Sequence, residues 1–107
     1  MEYIEENCKI ILNNNTLVFT GKIEASDYAN FTQFLKEVDQ AVKEDTLIYD
    51  FRALNFLNSS GIKAIAVHFL NSQKKYRIII KTGLTWQKVG IIPLRFIRPE
   101  GCVEIDF

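Results

Sequence analysis

Histidine and tryptophan each occur once in this 107-residue chain, and cysteine and proline twice each. Each scarcity removes a class of chemistry. His68 is the lone imidazole, so a zinc centre would have to be completed by carboxylates, and Cys8 and Cys102 lie at opposite ends with no metal-ligand spacing. A hydrolase built on Ser59 and Ser60 would have one possible histidine base and no Gly-x-Ser-x-Gly elbow. Gly61 alone makes no phosphate loop, and "KTGLTW" lacks the Walker spacing. Neither an enzyme nor a cofactor or metal is expected.

Excess charge is missing as well. Thirteen basic residues balance thirteen acidic ones, so no global field draws nucleic acid or anionic lipid. No apolar run approaches the roughly 20 residues that span a bilayer. The opening "MEYIEENCKI" is acidic and lacks the basic-then-apolar layout of a signal peptide. These absences fit a cytoplasmic protein with reduced thiols and neither nucleic acid nor membrane as partner. An apolar fraction of 48% and a charged fraction of 24% are ordinary for a globular protein. The length suits one domain over residues 1–107, able to bury roughly two-thirds of its unfolded surface.

What is present is a regular alternation of periods. "CKIILNNNTLVFTG" reads as a hairpin, with runs Lys9–Leu12 and Leu17–Thr20 flanking an asparagine turn and Gly21 ending the second strand. In "ASDYANFTQFLKEVDQAVKED", Tyr28, Phe31, Phe34, Leu35, Val38 and Val42 recur at helical spacing, with Ser26 or Asp27 as N-cap. "TLIYDF" has few charges and reads as a central strand covered on both faces. Ile62, Ile65, Ala66, Phe69 and Leu70 trace one face of a second helix. Lys74, Lys75 and Arg77 mark its solvated end. "YRIIIK" is a buried strand, "LTWQKVGIIPLRFI" a helical piece that Pro93 kinks or splits, and "CVEIDF" a strand with one face buried. The order is β-β-α-β-α-β-α-β. It predicts one α/β domain, a mixed sheet with helices packed against it through right-handed crossovers.

The centre of the chain, "LNFLNSSGIKAIAVHFL", interrupts an apolar run with Asn58-Ser59-Ser60-Gly61. Asn58 is a natural N-cap and Ser59 falls in the first helical turn, where free N–H groups and the helix dipole favour an anion. Gly61 would let another backbone come close. The same four residues also make a serviceable loop and cap with no further purpose. His68 has no acid or nucleophile near it in sequence. Trp86 is expected to pack under the third helix.

Asp50, then Leu54, Phe56, Leu57, Ser59, Ser60, Gly61 and Ile62, resembles the STAS domain, the fold of bacterial anti-sigma factor antagonists. "TGKIEASDYANFTQFL" resembles the same domain's lead-in to its first helix. The resemblance covers nearly the whole chain in element order and is motif-level over Asp50–Leu70. It implies a partner switch: the domain docks on a serine kinase of anti-sigma type (GHKL class), phosphorylation breaks the contact, and a metal-dependent PP2C-type phosphatase restores it. Ser59 occupies the phosphoacceptor position. The docking surface it implies comprises Glu24, Asp27, Asn58, Ser59, Ser60, Gly61 and Lys63. Asn58 stands where the phosphoregulated members carry aspartate, and "FLNSSGI" with Trp86-Gln87 resembles a less-characterised STAS-like branch. A constitutive scaffold or oligomerisation module, and a nucleotide or small-molecule sensor, are the other functions open to such a chain.

Overall fold

The computed structural model describes residues 1–24, 28–81, 83–98 and 102–106, with side chains given throughout except at Lys88 and in 102–106. Six strands form one sheet in the order β1-β2-β3-β4-β5-β6, identical to their order along the chain. They are β1 (Glu2–Ile4), β2 (Cys8–Asn13), β3 (Thr16–Ile23), β4 (Thr46–Leu57), β5 (Lys75–Lys81) and β6 (Cys102–Asp106). β1, β2 and β3 pair antiparallel, whereas β3 through β6 pair parallel. Helices α1 (Tyr28–Ala41), α2 (Ser59–Asn71) and α3 (Thr85–Gly90), the last followed by a 3-10 turn (Ile92–Phe96), supply the crossovers. The predicted α/β domain with a mixed sheet stands, with one strand more than expected.

The hairpin turns where asparagine allows it. Asn14 takes φ 56°, a left-handed conformation that asparagine tolerates better than most residues. Asn15 then ties the turn to β4: its Nδ2 donates to the Thr46 carbonyl at 3.1 Å, and its own carbonyl accepts from Ile48 N at 2.9 Å.

Gly21 does not end its strand, as the sequence led us to expect. β3 runs on to Ile23 through Gly21, which has φ +86° and lies at a register shift against β4. A Cβ at Gly21 would sit 2.1 Å from the Asn7 carbonyl oxygen, so only glycine fits this irregularity.

β4 is twice the expected length and carries two bulges. Val18 pairs with Asp50 and Thr20 with Ala53; further on, Gly21 pairs with Leu54 and Lys22 with Phe56. β4 therefore holds one extra residue at each interval. The extra residues turn Phe51, Leu54 and Leu57 all inward at three-residue spacing.

Among the described residues, one face of the sheet is covered by helices, not both. Leu17, Phe19, Leu47, Tyr49, Phe51, Ile78 and Ile80 are buried together with Phe31, Leu35 and Val38 of α1 and Ala64, Ile65 and Phe69 of α2. Phe69 stacks on Tyr76 at 4.0 Å between ring centroids and meets Tyr49 edge-on at 4.9 Å. Successive right-handed crossovers in one direction put α1 and α2 on the same side, where they pack against each other. Ile48 and Ile79 point the other way and remain half-exposed. On α2, Leu70 is 65% exposed and Ala64 takes the core position expected of it. Lys75 and Arg77 belong to β5, not to the helix end.

Pro93 splits the third helical piece as expected, starting the 3-10 turn just after α3 ends. Cys8 is a free, buried strand thiol. The proposed N-caps Ser26 and Asp27, and the side chains of "CVEID", lie outside the described residues. Among the described residues, no helix is long and apolar enough to cross a membrane.

Candidate functional site

The parallel strands β3 and β4 finish side by side, Ile23 opposite Leu57. Asn58 N then donates to the Ile23 carbonyl at 3.0 Å, which fixes where α2 begins. Asn58 is the cap: its backbone is extended, and its Oδ1 accepts from Gly61 N at 2.9 Å. Its carbonyl accepts from Ile62 N at 3.0 Å, closing the first turn. Ser59 and Ser60 are the first two helical residues and both are exposed. Helix starts of this kind leave backbone N–H groups without intrahelical acceptors.

Of the residues singled out in the sequence, Asn58, Ser59, Ser60 and Lys63 lie in this turn, and Glu24 follows the strand end to which Asn58 is bonded. Glu24 and Lys63 are exposed. The Lys63 ammonium lies 5.9 Å from the centroid of the Tyr28 ring, linking this turn to the start of α1. Asp27 lies outside the described residues. Gly61 differs from expectation. It is buried, and a Cβ there would come within 2.4 Å of Leu57 Cδ1 and 3.2 Å of Asn58 Oδ1. It makes room for the cap and a packed leucine: the atoms nearest that Cβ are side-chain atoms of Leu57 and Asn58, not a second backbone.

Asp50, the first residue of the motif, lies far from Ser59 along β4. Its carboxylate accepts from Arg52 N at 3.1 Å and pairs with Arg52 Nη2 at 2.8 Å. Burial alone would raise its pKa, but the hydrogen bonds and charge of Arg52 together outweigh that and hold it below the usual carboxylate value. It serves the strand and not the helix start.

Sequence reasoning placed Gln87 only as half of a Trp-Gln pair. In the structure it is fully buried and satisfied at both ends of its amide. Its Nε2 donates to the carbonyls of Phe51 (2.6 Å) and Leu54 (3.0 Å), and its Oε1 accepts from Lys81 N at 2.9 Å. The carbonyls it serves flank the first bulge of β4, on the strand that delivers Asn58. Trp86 is half-buried, as expected, with its Nε1 buried and unpartnered among the described residues. The space over Gly90 is closed by Ile62 Cδ1, 3.5 Å from where a Cβ would stand, so α3 adjoins the first turn of α2.

Among the described residues, no three His, Cys, Asp or Glu side chains gather to hold a metal ion. The chemistry on offer at the helix start is two exposed hydroxyls, an amide cap and unbonded backbone donors.

No protein-family model and no curated protein matches the sequence. The structure does find a likeness. The crystal structure of an anti-sigma factor antagonist from Mycobacterium paratuberculosis superposes with a TM-score of 0.61, covering 86% of this chain and 81% of that one at 18% identity. At that identity the likeness speaks for the fold. The superposition gives this chain the STAS-type α/β fold of that anti-sigma factor antagonist.

Proposed function

We propose that the chain is a non-enzymatic regulatory module that binds a partner protein through the start of α2 and the adjoining end of β3, and that phosphorylation of Ser59 switches the contact. The observation that carries this reading is the capped helix start, with Asn58 holding the turn while Ser59 and Ser60 face outward. A phosphate on Ser59 would add about −1.5 to −2 charge at pH 7. The helix N-terminus accepts that charge, so the fold survives modification. A partner packed over the turn would meet a dianion and be expelled. The partner is then a serine kinase of anti-sigma type, a PP2C-type phosphatase resets the switch, and the setting is cytoplasmic.

Intact-mass and peptide mass spectrometry on the protein from its native cells tests this. A single phosphate mapped to Ser59, with Ser59→Asp abolishing capture of that partner, is the expected result. No phosphate under any growth condition would sink the covalent switch. Asn58 favours a second reading, since it stands where phosphoregulated members carry aspartate: a constitutive scaffold with no switch. That reading predicts unchanged partner binding by Ser59→Asp.

A further inference from the structure

A groove of about 420 Å³ runs between α1 and α2, away from the start of α2. Lys36, Asp39 and Gln40 line it from one helix, and Val67, His68 and Asn71 from the other. Its volume falls within the range of small-molecule sites.

Hydrogen bonds preset its polar wall. Tyr49, a core residue, lies 2.6 Å from His68 Nε2 through its hydroxyl. Tyr49 is 1% exposed and its hydroxyl proton has no other acceptor among the described residues, so we assign the hydroxyl as donor and Nε2 as acceptor. His68 then carries its own hydrogen on Nδ1. Burial lowers the His68 pKa, more than Asp39 raises it, which keeps the ring neutral at pH 7. With Nε2 turned to the core, the Nδ1–H is the donor left for the groove.

Asp39 supplies the complementary group. Its Oδ1 accepts from Ser72 Oγ at 2.5 Å, and Ser72 Oγ itself accepts from Lys74 N at 3.1 Å. Arg98 Nη1 donates to the Ser72 carbonyl at 2.6 Å and clamps this end of α2. The serine proton is committed to the carboxylate, so the three side chains form no nucleophilic relay. What remains is Oδ2 of Asp39 as an acceptor, beside a wall of Val67 and Ala64. One cation, Lys36, and one anion, Asp39, line the groove, so its lining carries no net charge.

We propose that this groove binds a small, uncharged, planar molecule with a carboxamide-type edge, whose carbonyl accepts from His68 Nδ1–H and whose N–H donates to Asp39 Oδ2. The flat body of such a ligand would lie against Val67, the exposed apolar side chain of the lining. A carboxylate of the same shape brings a negative charge toward Asp39 and lacks the donor.

The test is a titration of the ¹⁵N-labelled full chain with benzamide and nicotinamide, with benzoate as the charged control of like shape. Saturable amide shifts confined to residues 32–40 and 64–72 are expected. Benzoate should bind at least about tenfold more weakly than either amide. Val67→Trp, at a 37% exposed position, should fill the groove and abolish the shifts, and its own spectrum reports that it folds. His68→Phe should weaken both amides. Absence of saturable shifts, shifts centred on residues 58–63, equal binding of benzoate, or undiminished binding by Val67→Trp would each overturn the assignment.

Discussion

The side-chain amide of Gln87 reaches into a bulge of β4 and donates to the Leu54 carbonyl at 3.0 Å. It also meets the Phe51 carbonyl, while its oxygen receives Lys81 N. One buried side chain thus pairs three backbone groups, two at the β4 bulge and one at the end of β5. An unpaired buried polar group costs about 1–3 kcal/mol. Gln87→Leu should therefore destabilise the protein by roughly 3 kcal/mol or more. Urea denaturation with an unchanged m-value reads this directly. A loss below about 1 kcal/mol would mean that water or a backbone shift replaces the amide.

The cap at Asn58 makes a paired prediction. Asn58→Ala removes the acceptor for Gly61 N and should cost about 1 kcal/mol. Asn58→Asp keeps the acceptor and adds a negative charge at the helix start, worth about 0.3–1 kcal/mol in favour. Thermal melts at low salt should rank aspartate at or above asparagine, and alanine below both. If alanine matches asparagine, the cap is not holding the turn.

Gly21 is the backbone position least open to change. With φ +86° and a carbonyl oxygen 2.1 Å from where a Cβ would stand, Gly21→Ala forces the β1–β2 connection away from β3. Strain of this kind costs about 1–3 kcal/mol, and the clash adds to it. Denaturant midpoints should fall further for Gly21→Ala than for Asn58→Ala. Gly83→Ala, with nothing near its missing Cβ, is the control.

His68 gives stability a pH dependence. The groups facing it are the Tyr49 hydroxyl and the Asp39 carboxylate, with Lys36 along the same groove and Arg98 acting on Tyr49. Its folded pKa lies below the ordinary value of 6.5, so the unfolded chain binds the extra proton first. Its contribution is therefore full above pH 6.5 and is lost as pH falls from there toward the folded pKa. Stability measured between pH 8 and 5 should decline across that window in the wild type and less in His68→Gln. Parallel curves for the two proteins would show that the ring does not carry the effect.

The parts of the fold that keep a regular period were legible in the sequence. α1 showed itself through Phe31, Phe34, Leu35 and Val38, and the start of α2 through Asn58, because each signal is local. β4 was read only to Phe51 because its bulges change the inward spacing from two residues to three, and Leu54 and Leu57 no longer look like strand positions. Gly21 sent the opposite false signal: a glycine at a bulge reads like a glycine at a strand end. β1 is three residues long, too short to show a period, and owes its place to Tyr3 packing on Phe31 and Phe34. The candidate docking turn was visible as a motif. The groove was not, because it joins Asp39 to His68 and Ser72 across two helices, a proximity that only the packed structure creates.

The coincidence of strand order with chain order has a consequence for how the molecule is made. No strand has to be threaded between two neighbours already joined. Each newly synthesised strand can add to the edge left by the one before it, with its helix laid down on the way. Pairing partners are always consecutive, so loop-closure distances stay short for a sheet that is half parallel. A chain emerging from the ribosome could therefore build this sheet in the order of synthesis, with one growing edge opposite the fixed edge at β1.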